Sequence, residues 1–137
     1  MTKELWLNLP VKDLNNSKAF FTALGFSFHP RHVNSNEMAG LVIGEKNVLI
    51  MLFPEQTFKN FTRNELVNTQ QASEILISID AESKEEVDEL LKKVVIAGGT
   101  VFSEPHDQGW MYGAGFADLD GHRWNVLYMD MSKIPEV

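Results

Sequence analysis

The strongest constraint on this chain is an internal repeat of secondary-structure signals. The order strand–helix–strand–strand–strand is predicted twice, at an offset of roughly 70 residues, with Gly25 and Gly98 following the two helices. A repeat of this length predicts two similar βαβββ modules, at about residues 3–53 and 73–131, within one domain over residues 1–137. The fold class is therefore α+β, and we expect the two mixed sheets to form an open cup suited to a small molecule.

In the first module, alternating residues predict a half-buried strand, with Leu5, Leu7 and Leu9 on one face and Trp6 and Asn8 on the other. A helix capped by Asp13 should follow at 14–24. Three more strands are then predicted at 26–33, 38–43 and 48–53. The polar stretch 54–72 reads as a linker containing a short helical turn.

The second module has the clearest local signals in the sequence. We expect a strand at 74–79, and Ser83 with Glu86 forms a capping-box pattern for a helix at 84–97. A strand should start at 100–103. Asp120-Gly121 then predicts a tight hairpin turn, with positive φ at its central residues, between strands at 113–119 and 122–130.

Composition excludes several classes of function. A net charge of −7 opposes binding to nucleic-acid phosphates and to anionic membrane surfaces. The chain has no cysteine, which excludes disulfides, thiol nucleophiles and thiolate metal sites. No apolar run of about 18 residues is present, and the N-terminal stretch does not read as a signal peptide. We therefore expect a cytoplasmic protein with neither nucleic acid nor a membrane as partner.

The repeated module, the opening LNLPVKDLNNSKAFFTALGF and the closing GFADLDGHRWNVLYMD resemble the vicinal oxygen chelate superfamily. That superfamily includes glyoxalase-type isomerases, extradiol dioxygenases, fosfomycin-resistance transferases and bleomycin-resistance proteins. The similarity covers nearly the whole chain and is greatest to the small glyoxalase-like branch with one pair of repeats per chain. The resemblance implies the vicinal oxygen chelate fold and a homodimer.

The resemblance also implies where a divalent metal would be held, on the first, fourth, fifth and eighth strands. The first-strand ligand aligns with Trp6, and the fourth strand, 48–53, offers no ligand-type side chain. The fifth-strand ligand aligns with Glu74, and the glutamate of the familiar GHxWE pattern is Asn125. Because a transition metal generally needs three or four good ligands, we expect no metal and no other cofactor.

The candidate ligand-binding residues lie on the predicted cup face or beside it, and they are Trp6, Asn8, Glu74, Trp110, Tyr112 and Asn125. A buried carboxylate needs a partner, so we expect Glu74 to meet a cation, a donor or a ligand group. Trp110 and Tyr112 fit either an aromatic edge over the cup or ordinary sheet packing. No catalytic residue is assigned.

The histidines have structural and chemical interpretations. His122 follows the Asp-Gly turn, where a hairpin-stabilising role is favoured over that of a metal ligand. His106 and Asp107 fit either an acid–base pair or a solvated loop, since histidine titrates near neutrality. His29 and His32 are expected at the surface.

Three functional hypotheses follow, and they belong to different classes. The first is a metal-free small-molecule-binding protein of the bleomycin-resistance kind, in which Asn8, Glu74 and Asn125 orient a cationic or hydrogen-bonding ligand between aromatic walls. The alternative is a metal-dependent lyase or isomerase of the glyoxalase type. The third is a cup filled by its own side chains, in a protein that serves as an interaction partner.

Overall fold

The computed structural model describes residues 1–135, which form eight β-strands and three α-helices. The strands are β1 Trp6–Val11, β2 Ser27–Phe28, β3 Ala39–Ile43, β4 Val48–Pro54, β5 Leu76–Asp80, β6 Thr100–Asp107, β7 Met111–Ala117 and β8 Arg123–Met129. The helices are α1 Leu14–Ala23, α2 Glu55–Thr62 and α3 Lys84–Ile96, with short 3-10 helices at Pro30–His32 and Met131–Lys133. None of the described helices is long and apolar enough to cross a membrane.

The strands form two four-stranded mixed sheets with the same topology. The first sheet has the order β1-β4-β3-β2 and the second has the order β5-β8-β7-β6. In each sheet the first strand pairs in parallel with the last strand of its module, and the remaining pairs are antiparallel. The α+β class and the repeated βαβββ order are thereby confirmed. The chain divides into two compact units, and the second unit begins at Thr69.

In the first unit, α1 covers one face of the sheet. The side chain of Asp13 accepts a hydrogen bond from the backbone N–H of Asn16 at 2.9 Å, which confirms the predicted N-cap. Gly25 follows the helix with φ +101°, a conformation that only glycine adopts without strain. The buried side chains on this face include Leu9, Val11, Phe20, Phe21, Leu41, Ile50 and Leu52.

In the second unit, α3 has the corresponding position. The Ser83 side chain accepts a hydrogen bond from the backbone N–H of Glu86 at 3.0 Å, as the sequence predicts. The rings of Phe116 and Trp124 stack in this core with centroids 6.0 Å apart. The other buried apolar side chains of the unit are Ile77, Ala81, Val87, Leu91, Val94, Ala114 and Val126.

Several predicted strand limits are wrong. Leu5 lies outside β1 and is 72% exposed. β2 is only two residues long, because Pro30 starts a 3-10 helix where a longer strand was expected. β5 begins at Leu76, so Glu74 precedes the strand. β6 continues to Asp107, which places His106 and Asp107 on a strand and not in a loop.

The 54–72 stretch also contains more structure than a short turn. α2 has eight residues, and the ring of Phe61 lies edge-on against Phe53, with centroids 5.2 Å apart. Since Phe53 lies on β4, α2 is anchored to the first unit.

The predicted Asp-Gly hairpin is present, although its turn differs from the expected one. The backbone N–H of Gly121 donates to the carbonyl of Asp118 at 3.1 Å, and the N–H of Asp118 donates to the carbonyl of His122 at 3.0 Å. Gly121 has φ +83°, whereas Asp120 does not have positive φ. The connection is therefore a three-residue loop with glycine in the left-handed position, and not a turn with two positive-φ residues.

Candidate functional site

Each sheet has an open face, which we define as the face opposite its helix α1 or α3. In the first unit this face carries Trp6 and Asn8, which lie beside Leu49 and Met51 of β4. Trp6 is 53% exposed and Asn8 is also exposed. The strand alternation predicted for these two residues is therefore correct.

The open face of the second unit carries Asn125, which pairs with Ser78 of β5 and Gly115 of β7. Arg123 lies two residues earlier on β8 and pairs with Leu76. Leu76 and Ser78 are exposed, whereas Asn125 and Arg123 are half-buried. This face therefore places amide, hydroxyl and guanidinium groups beside an exposed apolar side chain.

The predicted environment of Glu74 is wrong. The residue lies in a bend before β5, and its side chain is exposed and not buried among the strands. Glu74 nevertheless lines an open pocket of the second unit together with Leu76 and Arg123. A solvated carboxylate needs no compensating partner, so the burial argument made from the sequence does not apply to Glu74.

Tyr112 is not on the open face. It pairs with Tyr128 on the α3 side of the sheet, and its hydroxyl donates to the Asp88 carboxylate at 2.7 Å. This hydrogen bond, together with burial, raises the pKa of Tyr112 to about 12. Trp110 lies in the connection between β6 and β7, where its carbonyl accepts from the N–H of Asp130 at 2.7 Å. For Tyr112, ordinary sheet packing is the interpretation that the structure supports.

Two residues that were not predicted from the sequence, Phe102 and Arg123, lie together on the open face of the second sheet. The guanidinium carbon of Arg123 is 4.2 Å from the centroid of the Phe102 ring, a cation–π contact. Phe102 lies over Gly115, where an added Cβ would be 2.5 Å from the ring. The spacing of Arg123 and Asn125 was a usable signal, because residues two apart on a strand share a face.

These residues border an open pocket of about 410 Å³ within the second unit. Its lining includes Thr69, Ser73, Glu74, Leu76, Phe102 and Arg123. The volume lies in the range of small-molecule sites, and the lining combines apolar side chains with a few polar groups.

The hairpin behind the site is organised by a buried carboxylate. One oxygen of Asp118 accepts from the backbone N–H groups of Asp120 and His122, each at 3.0 Å, and the other accepts from the indole N–H of Trp124 at 3.1 Å. Burial raises the pKa of Asp118, while His122 and the Trp124 hydrogen bond oppose this effect. His122 is itself buried in this hairpin, which supports the structural role favoured from the sequence.

The remaining predicted acid–base residues have other partners. The Asp107 carboxylate accepts from the Lys84 ammonium at 2.8 Å, and this hydrogen bond lowers the pKa of Asp107. Both side chains are exposed, so the pair is a surface ion pair. His29 accepts at Nδ1 from the backbone N–H of Arg31 at 3.1 Å. His106 is exposed on β6.

A divalent metal needs several donor groups close together. Across residues 1–135, no three His, Asp or Glu side chains are grouped so that they could hold an ion. The positions that the resemblance aligns with metal ligands are Trp6, Glu74 and Asn125, which provide one carboxylate and one neutral amide. Such a donor set is weaker than those of known metal centres.

Two consecutive βαβββ units, each with an open sheet face, define a paired-module α+β protein. A model of the Glyoxalase/Bleomycin resistance protein/Dioxygenase superfamily matches residues 5–126. The chain therefore belongs to this superfamily, as the resemblance of its two end motifs suggests. A comparison with curated proteins found no match.

Solved structures agree with this assignment. The chain is 38% identical to a hypothetical protein from S. aureus, with a TM-score of 0.83 over 93% of this chain and 95% of that one. It also resembles a fosfomycin resistance protein, FosX, from Listeria monocytogenes, with 20% identity and a TM-score of 0.66 over 96% and 97% of the two chains. A lactoylglutathione lyase from Agrobacterium tumefaciens has 16% identity and a TM-score of 0.64 over 98% of each chain. At these two lower identities the likeness is one of fold.

Proposed function

We propose that this protein binds a small molecule on the open face of its second sheet, without a metal ion. The observation that carries this proposal is the pocket of about 410 Å³ bordered by Leu76, Phe102 and Arg123. Its apolar walls provide contact area, and the guanidinium and nearby amide provide hydrogen bonds that orient a ligand. The assignment of Trp6 and Asn8, on the open face of the first sheet, to ligand binding stays a prediction from the sequence.

The weak donor set supports the metal-free part of the proposal. A glyoxalase-type lyase or isomerase would need a metal to polarise substrate oxygens, and the described residues do not provide three suitable ligands. The superfamily name includes bleomycin resistance proteins, the kind of protein with which the metal-free hypothesis compares this chain.

The experiment that separates the two functions is metal analysis of the purified protein, with thermal unfolding in Ni²⁺, Zn²⁺ and Mn²⁺. We expect substoichiometric metal and no stabilisation. A ligand present at 100 times its Kd would add about 2.7 kcal/mol, which is readily measured. Metal recovered at unit occupancy, and lost in Glu74→Ala, would overturn the proposal in favour of the enzyme.

Ligand binding is tested by a thermal-shift screen of small molecules with two matched variants. Leu76→Asp places a charge in the pocket, and Leu5→Asp changes an exposed leucine outside the sheets. We expect compounds that stabilise the natural protein to stabilise Leu5→Asp equally, and to have no effect on Leu76→Asp. Equal responses from both variants would place the binding site elsewhere.

A homodimer and a cytoplasmic location belong to the same proposal. Small glyoxalase-like proteins are commonly dimers, and exposed apolar side chains such as Trp6 and Leu76 are compatible with a partner. Light scattering of the eluted protein tests the dimer, and cell fractionation tests the location. A monomer at micromolar concentration would remove the dimer from the proposal.

A further inference from the structure

We infer that the ligand of the second open face is a small organic anion, recognised by the guanidinium of Arg123. This inference rests on the proposed function and specifies its ligand class. It replaces the cationic ligand considered from the net charge, because the cation of this pocket is contributed by the protein itself.

The first step is the close approach of Phe102 to the sheet. A Cβ at residue 115 would be 2.5 Å from Cζ and 2.7 Å from Cε1 of the Phe102 ring, so the ring can lie there only because residue 115 is glycine. β6 has register shifts between Val101 and Ser103 and again between Ser103 and His106. Such irregularities redirect side chains, and the first of them includes Phe102, whose ring tip lies against Gly115 on the open face.

The second step is the position of Arg123 on that ring. With its guanidinium carbon 4.2 Å from the centroid, Arg123 is held by a cation–π contact, which leaves its N–H groups free of the ring. Across the described residues, no Asp or Glu forms an ion pair with Arg123. The guanidinium is therefore oriented in advance and not neutralised by an acidic side chain of the described chain.

The third step concerns ligand shape and charge. A planar guanidinium can form two parallel hydrogen bonds with a carboxylate or a phosphonate, because the spacing of the oxygen atoms in these groups matches that of its N–H groups. Phe102 and Leu76 offer apolar surface beside it, which suits a flat apolar group attached to the anion. Asn125 and Ser78, on the same face, add donors for further oxygen atoms.

The net charge of the whole protein is negative, so an anion can be favoured only by direct contact with a cationic side chain. A net charge of −7 opposes the approach of anions, and Glu74 lines the same pocket. Distant exposed charges are largely screened by salt, whereas a direct contact with the half-buried Arg123 is screened much less. We therefore expect one anionic group to be accepted at Arg123, and a hydroxyl or amino group of the ligand to face Glu74.

The test uses four aromatic probes of matched size: benzoate, phenylphosphonate, benzyl alcohol and benzylamine. Each is titrated into the ¹⁵N-labelled full chain and into Arg123→Gln and Arg123→Lys. The side-chain amide signal of Asn125 is followed in all three proteins, and the Arg123 signal is followed in the natural chain. We expect the two anions to bind about tenfold or more tightly than benzyl alcohol, and to lose about that factor in Arg123→Gln. Arg123→Lys keeps the charge without the planar fork, and should give an intermediate affinity.

The outcomes separate this inference from the proposed function. If benzyl alcohol or benzylamine binds at this face as well as benzoate, and Arg123→Gln changes nothing, the anion inference is wrong while small-molecule binding stands. If none of the four probes moves the Asn125 or Arg123 signals, the anion inference is wrong, and the thermal-shift screen with Leu76→Asp decides the proposed function independently. A thermal melt of each variant excludes misfolding as the cause, and we expect it to lie close to that of the natural protein because the Arg123 guanidinium forms no ion pair among the described residues.

Discussion

Gly121→Ala should destabilise the second unit by about 2–5 kcal/mol. Gly121 has φ +83°, and a left-handed backbone costs a residue with a Cβ about 1–2 kcal/mol. The new Cβ would also lie 2.9 Å from the carbonyl oxygen of Thr69 and 3.0 Å from its carbonyl carbon. Since these are backbone atoms that cannot rotate away, the overlap should add about 1–3 kcal/mol, as overpacking does elsewhere.

Gly109→Ala is the matched control for this prediction. Gly109 has φ +87°, yet an added Cβ would have no atom within 4 Å, so only the backbone strain applies. Urea unfolding of both variants gives the two free energies of unfolding, provided that the slope m is unchanged. Equal losses in the two variants would refute the reasoning, because they would mean that Thr69 does not hold its position against Gly121.

Three further predictions concern side chains that form specific hydrogen bonds. Tyr112→Phe should cost about 1–2 kcal/mol through the lost contact with Asp88. The pKa of Tyr112 is about 12 in the folded protein and near 10 in the unfolded chain, so the natural protein should lose stability as pH rises from about 10 to 12. Urea unfolding of Tyr112→Phe at a series of pH values should lack this pH dependence. Asp118→Asn should cost about 2–3 kcal/mol, because the amide NH₂ would face either the Trp124 indole N–H or the backbone N–H groups, all of which are donors. An unchanged urea midpoint would contradict this prediction. Ser83→Ala should cost about 1 kcal/mol in urea unfolding by removing the α3 cap, and a loss near zero would mean that the cap is replaced.

The repeated module was predictable because its signals are local. The N-caps Asp13 and Ser83 mark where two helices begin, and Gly25 marks where α1 ends. Each of these signals depends on only a few neighbouring residues. The Asp-Gly signal likewise located the hairpin, although not its turn type. Agreement between these signals and the resemblance of both chain ends was enough to assign the fold.

Most errors came from features that depend on neighbouring strands. β6 was predicted too short because its second half is polar and contains Pro105, which is tolerated because β6 is the edge strand of its sheet. Tyr112 was left with two interpretations, because the face on which it lies is known only from its pairing with Tyr128. The prediction that Glu74 is buried was wrong because β5 begins two residues later than the sequence pattern suggests.

The central contact of the candidate site could not be predicted from local signals. Phe102 reaches Gly115 across a pair of strands whose register shifts, and no single-residue preference encodes such a shift. Arg123 was detectable by its spacing from Asn125, but its contact with Phe102 depends on that same tertiary pairing.

Thr69 both lines the pocket and donates its hydroxyl to the carbonyl of Asp120 in the β7–β8 hairpin. The pocket wall and the hairpin loop are therefore structurally coupled, and a change in the conformation of one should alter the other. A relative that enlarges this loop would reshape its binding surface at the same time, so selectivity for new ligands can arise at residues that never contact them.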